Sequence, residues 1–118
     1  TGVSAEVRDL VSAPLPAGSI DVTVSAMAFH HIPDVDAMLG SIAGCLVPGG
    51  WLAVADLEGE DGSFHDEPVP HLGFDPAAFL TRMVQAGLIA VSQDRVHVMQ
   101  KPPGGRSYPI FLAVARKP

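Results

Sequence analysis

The 118-residue chain is poor in cysteine, in aromatic residues and in positive charge, with one Cys, one Trp, one Tyr and seven Lys and Arg in all. A single cysteine, Cys45, excludes an intramolecular disulfide. Seven basic residues against thirteen acidic ones leave a formal net charge of −6, and the basic residues are scattered. Nucleic-acid backbones and anionic membranes, which call for clustered Lys and Arg, are therefore not expected partners. No apolar run has the length of a membrane span and no segment resembles a signal peptide, so a soluble, cytoplasmic protein is expected. The chain opens on "TGVSAEV" without a methionine, as a fragment or processed product would. Internal repeats and low-complexity tracts are also missing.

What is present is globular in character, with 47% hydrophobic and 17% charged residues. The length suits a single domain, residues 1–118, able to bury about two thirds of its unfolded surface. "AEVRDLV" (5–11) is a short strand candidate, and the proline- and glycine-bearing "SAPLPAGS" (12–19) reads as a loop. "IDVTVSAM" (20–27) is apolar at nearly every position, the pattern of a central strand covered on both faces. Asp34 then caps a helix whose apolar stripe is Val35, Met38, Leu39, Ile42, Cys45 and Leu46. Gly40 and Gly44 each cost that helix roughly 1 kcal/mol relative to alanine, so close approach to a neighbouring backbone is expected there. Cys45, on the stripe, reads as a small buried hydrophobe.

After "PGG" (48–50), "WLAVAD" (51–56) is a second buried strand. Residues 57–73 have no periodicity and read as a long exposed loop. "GFDPAAFLTRMVQAGL" (73–88) carries the marks of a helix: Asp75 as cap, Pro76 at the first helical position, a Phe74–Phe79 staple, a stripe of Phe79, Leu80, Met83 and Val84, and Gly87 as terminator. "AVSQDRVHVMQK" (90–101) and "YPIFLAVARK" (108–117) flank the turn "PPGGRS" and form an antiparallel hairpin. The fold class is α/β, a mostly parallel sheet with an antiparallel C-terminal hairpin.

The run "DLVSAPLPAGSIDVTVSAMAFHHIPDVDAMLGSIAGCLVPGGWLAVAD" resembles the second half of the class I S-adenosylmethionine-dependent methyltransferases, in particular their small-molecule "type 11" group. These have an acidic residue after the third strand, an "LP" turn, a fourth strand ending in "LHH", a helix, "PGG", and a fifth strand with a terminal acid. "QKPPGGRSYPIFLAVARK" is similar to the last strand pair of a bacterial subgroup of methyltransferases. The resemblance implies a partial Rossmann-like sheet, with the C-terminal portion of the family's fold in residues 1–118. The family's glycine-rich cofactor turn does not occur in the sequence: "GG" at 49–50 and 104–105 does not open a helix after a strand.

The resemblance also implies a cofactor, S-adenosylmethionine, and a set of residues beside it. Asp9 matches the acid that accepts from the adenine amino group, and Leu10 the residue that donates its backbone N–H to the ring. Ser25, Ala26 and Met27 match the end of the fourth strand, and Phe29 and His30 continue that cofactor side. His30 and His31 are the candidate catalytic groups, since an imidazole with a pKa near 6.5 can take a proton from a hydroxyl or amine. Nucleophilic side chains are not required, because methyl transfer rests on proximity and orientation. His65, Asp66, Glu67 and His71 crowd the loop at spacings that match no zinc or calcium signature, so no metal site is expected. The chain has "SAMAFHH" where amino-methyltransferases acting on DNA adenine or protein glutamine have "(D/N)PPY". A small-molecule substrate is the expectation. The alternative is a truncated, non-catalytic module that works by oligomerisation or partner binding, as a homodimer or against a missing N-terminal half.

Overall fold

In a computed structural model, residues 2–101 and 105–118 are described. Their order is β1 (Ile20–Ala26), a 3-10 turn (Phe29–His31), α1 (Val35–Cys45), β2 (Leu46–Leu57), α2 (Pro76–Gln85), β3 (Ile89–Lys101) and β4 (Arg106–Arg116). One four-stranded sheet runs β1-β2-β4-β3. β1 and β2 are parallel and joined by α1, whereas β4 runs antiparallel to both β2 and β3. The α/β class and the antiparallel hairpin are as expected, but the sheet is mixed rather than mostly parallel, with one parallel pairing and two antiparallel ones. Residues 102–104 of the expected turn lie outside the described residues.

Local chemistry explains the helices. Asp34 accepts from the Ala37 N–H at 2.9 Å and Asp75 from the Ala78 N–H at 2.9 Å, so each helix begins on a satisfied cap. Gly87 ends α2 with φ +100°, a conformation open to a residue without Cβ. The staple is present as a Phe74–Phe79 contact, ring centroids 5.0 Å apart. Val84 departs from the expected stripe and is exposed. Both helices cover one face of the sheet, where Val35, Leu39, Ile42, Phe79 and Met83 pack against Leu52, Val54, Phe111 and Ala113. Cys45 is buried as expected.

Four further expectations are corrected. Residues 5–11 form no strand and are almost wholly exposed, because no neighbouring strand offers them a ladder to join. β1 is an edge strand rather than a central one, and Val22 and Val24 are 58% and 75% exposed. Gly40 and Gly44 have open space where a Cβ would lie, so no close backbone approach accounts for them. The segment after β2 is only partly an exposed loop: it turns back so that Phe64 is buried against Leu57, Tyr108 and Ile110, and a one-residue bridge joins Glu58 to Phe74.

β2 also begins five residues earlier than expected, at Leu46. Ile20 pairs with Leu46 before the register shifts, and Gly50 allows the crowding, since a Cβ there would meet the carbonyl oxygens of Asp21 and Val47 at 2.9 Å. No helix among the described residues is long and apolar enough to cross a membrane.

Candidate functional site

Parallel β1 and β2 deliver their carboxyl ends side by side, the position where open α/β sheets bind ligands. β1 ends at Ala26, and Met27 follows with φ +58°, the one non-glycine residue in the left-handed region among those described. Its N–H still donates to the Ala55 carbonyl at 2.8 Å. That sharp change of direction carries the chain into the 3-10 turn and drops His30 over the end of β2.

His30 is 1% exposed and Asp56, at the end of β2, is fully buried. A buried carboxylate needs donors, and Asp56 has three. The His30 backbone N–H donates at 3.1 Å, the His30 Nδ1–H at 2.6 Å and the Leu57 N–H at 2.7 Å. With Nδ1 committed, Nε2 of His30 points away from Asp56 and lies 2.9 Å from Nε2 of His65. His31 completes the group, its ring centroid 4.1 Å from that of His30 and 5.2 Å from that of His65.

The loop brings His65 to this place because its neighbours are tied down. Phe64 stacks edge-on against Tyr108 at 5.0 Å, Ser63 Oγ lies 2.6 Å from the Tyr108 hydroxyl, and the Lys101 ammonium sits over the Phe64 ring at 4.3 Å. Partial burial holds the His65 imidazole below its ordinary pKa, and His30, His31 and Lys101 push it the same way against an opposing pull from Glu60. Glu60 Oε2 is buried without a hydrogen-bond partner among the described residues. A cleft of about 370 Å³ is lined by Glu60, Asp61, Ser63, Arg106 and Tyr108 among others, and by none of the three histidines.

The sequence-predicted residues distribute unevenly over this geometry. His30 and His31 are adjacent in the cluster, and Met27 packs against the Leu57 and Phe64 group beneath it. Ser25 and Ala26 close β1. Phe29 turns its ring into the core, edge-on to Phe79 at 5.5 Å. Asp9 is exposed on the irregular N-terminal segment, where its Oδ1 accepts from the Val11 and Ser12 N–H groups and lowers the carboxyl pKa in consequence. Leu10 is tied to α1 through its carbonyl, which accepts from Ser41. His65 and His71 part company: His71 Nε2 lies 2.9 Å from the Ile32 carbonyl, and Asp66 and Glu67 are exposed. Asp56 is the residue sequence reasoning left without a role. An acid closing the apolar run "WLAVADL" was the available signal, since a buried charge requires a partner.

The family model described as "Methyltransferase domain" matches residues 2–54. An uncharacterized methyltransferase of Mycobacterium tuberculosis is 44% identical over 46 residues, 39% of this chain and 23% of that protein. One from Schizosaccharomyces pombe is 35% identical over 78 residues, covering 58% and 28%. Over its first half this chain is similar to the methyltransferase domain of these proteins. The matched stretches span about a quarter of those curated methyltransferases. The fold agrees throughout: an S-adenosylmethionine-dependent methyltransferase from Mesorhizobium loti superposes with a TM-score of 0.73 at 18% identity, over 99% of this chain and 70% of that one.

Proposed function

We propose that this chain serves S-adenosylmethionine-dependent methyl transfer to a small metabolite, with His30 and His31 on the side of the methyl acceptor. The observation that carries the reading is His30 fixed by buried Asp56 at the carboxyl ends of parallel β1 and β2. The donor set suits one end of the cofactor. Asp9 accepts at Oδ1 from the Val11 and Ser12 N–H groups, and its exposed carboxylate would accept from an adenine amino group. Leu10 would supply its N–H, and Ser25, Ala26 and Met27 would line the cofactor from the end of β1. Phe29 contributes through its backbone, its ring being committed to the core.

S-adenosylmethionine supplies an electrophilic sulfonium methyl when bound. The residues of this chain orient the acceptor and manage its proton. Asp56 accepts a hydrogen bond from the Nδ1–H of His30 and so leaves Nε2, once the His65 ring moves off it, to accept a proton from a hydroxyl or amine, and stabilises the imidazolium that results. The net charge of −6 disfavours nucleic acid as the acceptor.

Calorimetric titration of S-adenosylhomocysteine into the 118-residue chain, its intact mass checked in the same sample, tests the reading. Saturable micromolar binding, weakened by Asp9→Ala, is the expected result. A folded chain that takes up no ligand overturns the proposal for this chain on its own. The second reading, a non-catalytic module acting by assembly, draws on the open edge of β1 with Val22 and Val24 exposed. Light scattering separates the two: a dimer without cofactor binding favours assembly, and a monomer that binds cofactor favours catalysis.

A further inference from the structure

Three imidazoles converge where the proposed reaction needs at most two. The ligand nitrogens of His30, His31 and His65 all lie within 4.8 Å of one another. His30 and His65 meet Nε2 to Nε2 at 2.9 Å. Neutral imidazoles sharing one proton can make that contact, and so can two lone pairs aimed at a common ion. We propose that His30, His31 and His65 form a binding site for one divalent transition-metal ion of the Zn²⁺ class.

Several independent features point the same way. The Nδ1–H of His30 is donated to buried Asp56 at 2.6 Å. A metal-binding histidine is commonly held in this manner, with a carboxylate fixing the tautomer and turning Nε2 toward the ion. Three histidine nitrogens with a fourth position left to water are a recognised zinc arrangement, and imidazole selects Zn, Cu, Ni or Fe over Mg or Ca. Zn–N distances of about 2.0–2.1 Å place tetrahedral ligand nitrogens about 3.4 Å apart. His65 therefore needs to back off by about half an ångström and His31 to close in by rather more. Both can, since His31 is exposed and His65 stands on a loop. Beside them, the buried Oε2 of Glu60 has no hydrogen-bond partner among the described residues, and Glu60 acts electrostatically on His65. A cation would offset that unpaired negative charge, or a metal-bound water would hydrogen-bond to it. Lys101 opposes the ion, its ammonium standing over the neighbouring Phe64 ring.

The site is independent of methyl transfer, although the two meet at one atom. His30 Nε2 can hold a metal or accept a proton, not both at once, so Zn²⁺ loading would withdraw the proposed base.

The test is titration of Zn²⁺ alone into the 118-residue chain against a chromophoric chelator, with Co²⁺ as a spectroscopic stand-in. Saturation at one ion per chain is expected, with the visible absorption of four-coordinate Co²⁺. His31→Gln and His65→Gln should each weaken binding at least tenfold, and Asp56→Asn by about 10- to 100-fold. Lys101→Met should tighten it. Both glutamine variants change residues outside the main core, and circular dichroism verifies that they fold. A folded parent chain that binds no Zn²⁺, or one whose affinity is unchanged by either glutamine substitution, overturns the three-histidine site. Because the readout is metal affinity, failure here leaves the binding of S-adenosylhomocysteine unaffected.

Discussion

His30 Nδ1 lies 2.6 Å from Asp56 Oδ1, a bond that spans 26 positions of sequence and that solvent barely reaches at either end. It fastens the turn after β1 to the end of β2, the two places from which the candidate site is assembled. Everything proposed for the histidines depends on this contact, because it decides which ring nitrogen points away from Asp56.

Replacing Asp56 with alanine strands three buried donors: the His30 N–H, the His30 Nδ1–H and the Leu57 N–H. Buried unpaired donors and broken buried ion pairs cost several kcal/mol. Asp56→Ala is expected to lose about 3–5 kcal/mol in urea unfolding. A loss below 1 kcal/mol would show that the contact contributes little to folding.

Two glycines offer opposite outcomes from the same substitution. Gly73 has φ +81°, and a Cβ there would stand 2.2 Å from the Glu58 carbonyl oxygen, against backbone that cannot retreat without breaking the Glu58–Phe74 bridge. Gly73→Ala is expected to destabilise by at least about 1–3 kcal/mol. Gly40 lies in α1 with open space around the Cβ position. Gly40→Ala should stabilise by about 0.5–1 kcal/mol, read as a rise in Tm.

His65 gives a pH dependence of definite sign. Its folded pKa lies below the ordinary value of about 6.5, through burial first and then the positive charge of His30, His31 and Lys101, with Glu60 opposing. Below that value the unfolded chain takes up a proton that the folded chain refuses, so the unfolded state binds more protons and stability rises with pH. Acidification from neutrality through the ordinary histidine range should therefore lower the urea midpoint until the folded pKa is passed. His65→Gln should flatten that part of the curve, and a curve unchanged by the substitution would refute the assignment.

The loop anchor can be tested separately. Phe64 holds His65 in place through its contacts with Tyr108 and Lys101. Phe64→Ala should free the loop and let the His65 ring resonance titrate closer to the ordinary histidine value, with little change in the helical far-UV signal. Since Phe64 belongs to the smaller cluster rather than the main core, the fold should survive.

α2 was readable almost residue by residue, because Asp75, Pro76, Phe74 and Gly87 act within one or two turns of where they stand. The parallel unit around α1 and the closing hairpin were equally plain from strand and turn chemistry. What failed was whatever depends on distant partners. "AEVRDLV" has strand composition, yet a strand exists only where another offers its edge. β1 has the apolar density of a buried strand, and nothing in its own residues tells that one side would be left open. The histidine pair at 30–31 stood out in the sequence. Asp56 and His65 join it only through the fold, from the end of another strand and from a loop whose return depends on one buried phenylalanine.

The sheet order also grades the molecule by how easily its parts open. β2 and β4 are bonded on both sides, whereas β1 and β3 are bonded on one. Amide exchange should therefore be slowest in the two inner strands. β1, which leads into the histidine turn, belongs to the faster class. The chemistry is thus mounted across a gradient, with Asp56 on an inner strand and His30 at the end of an outer one, and their buried bond ties the two together.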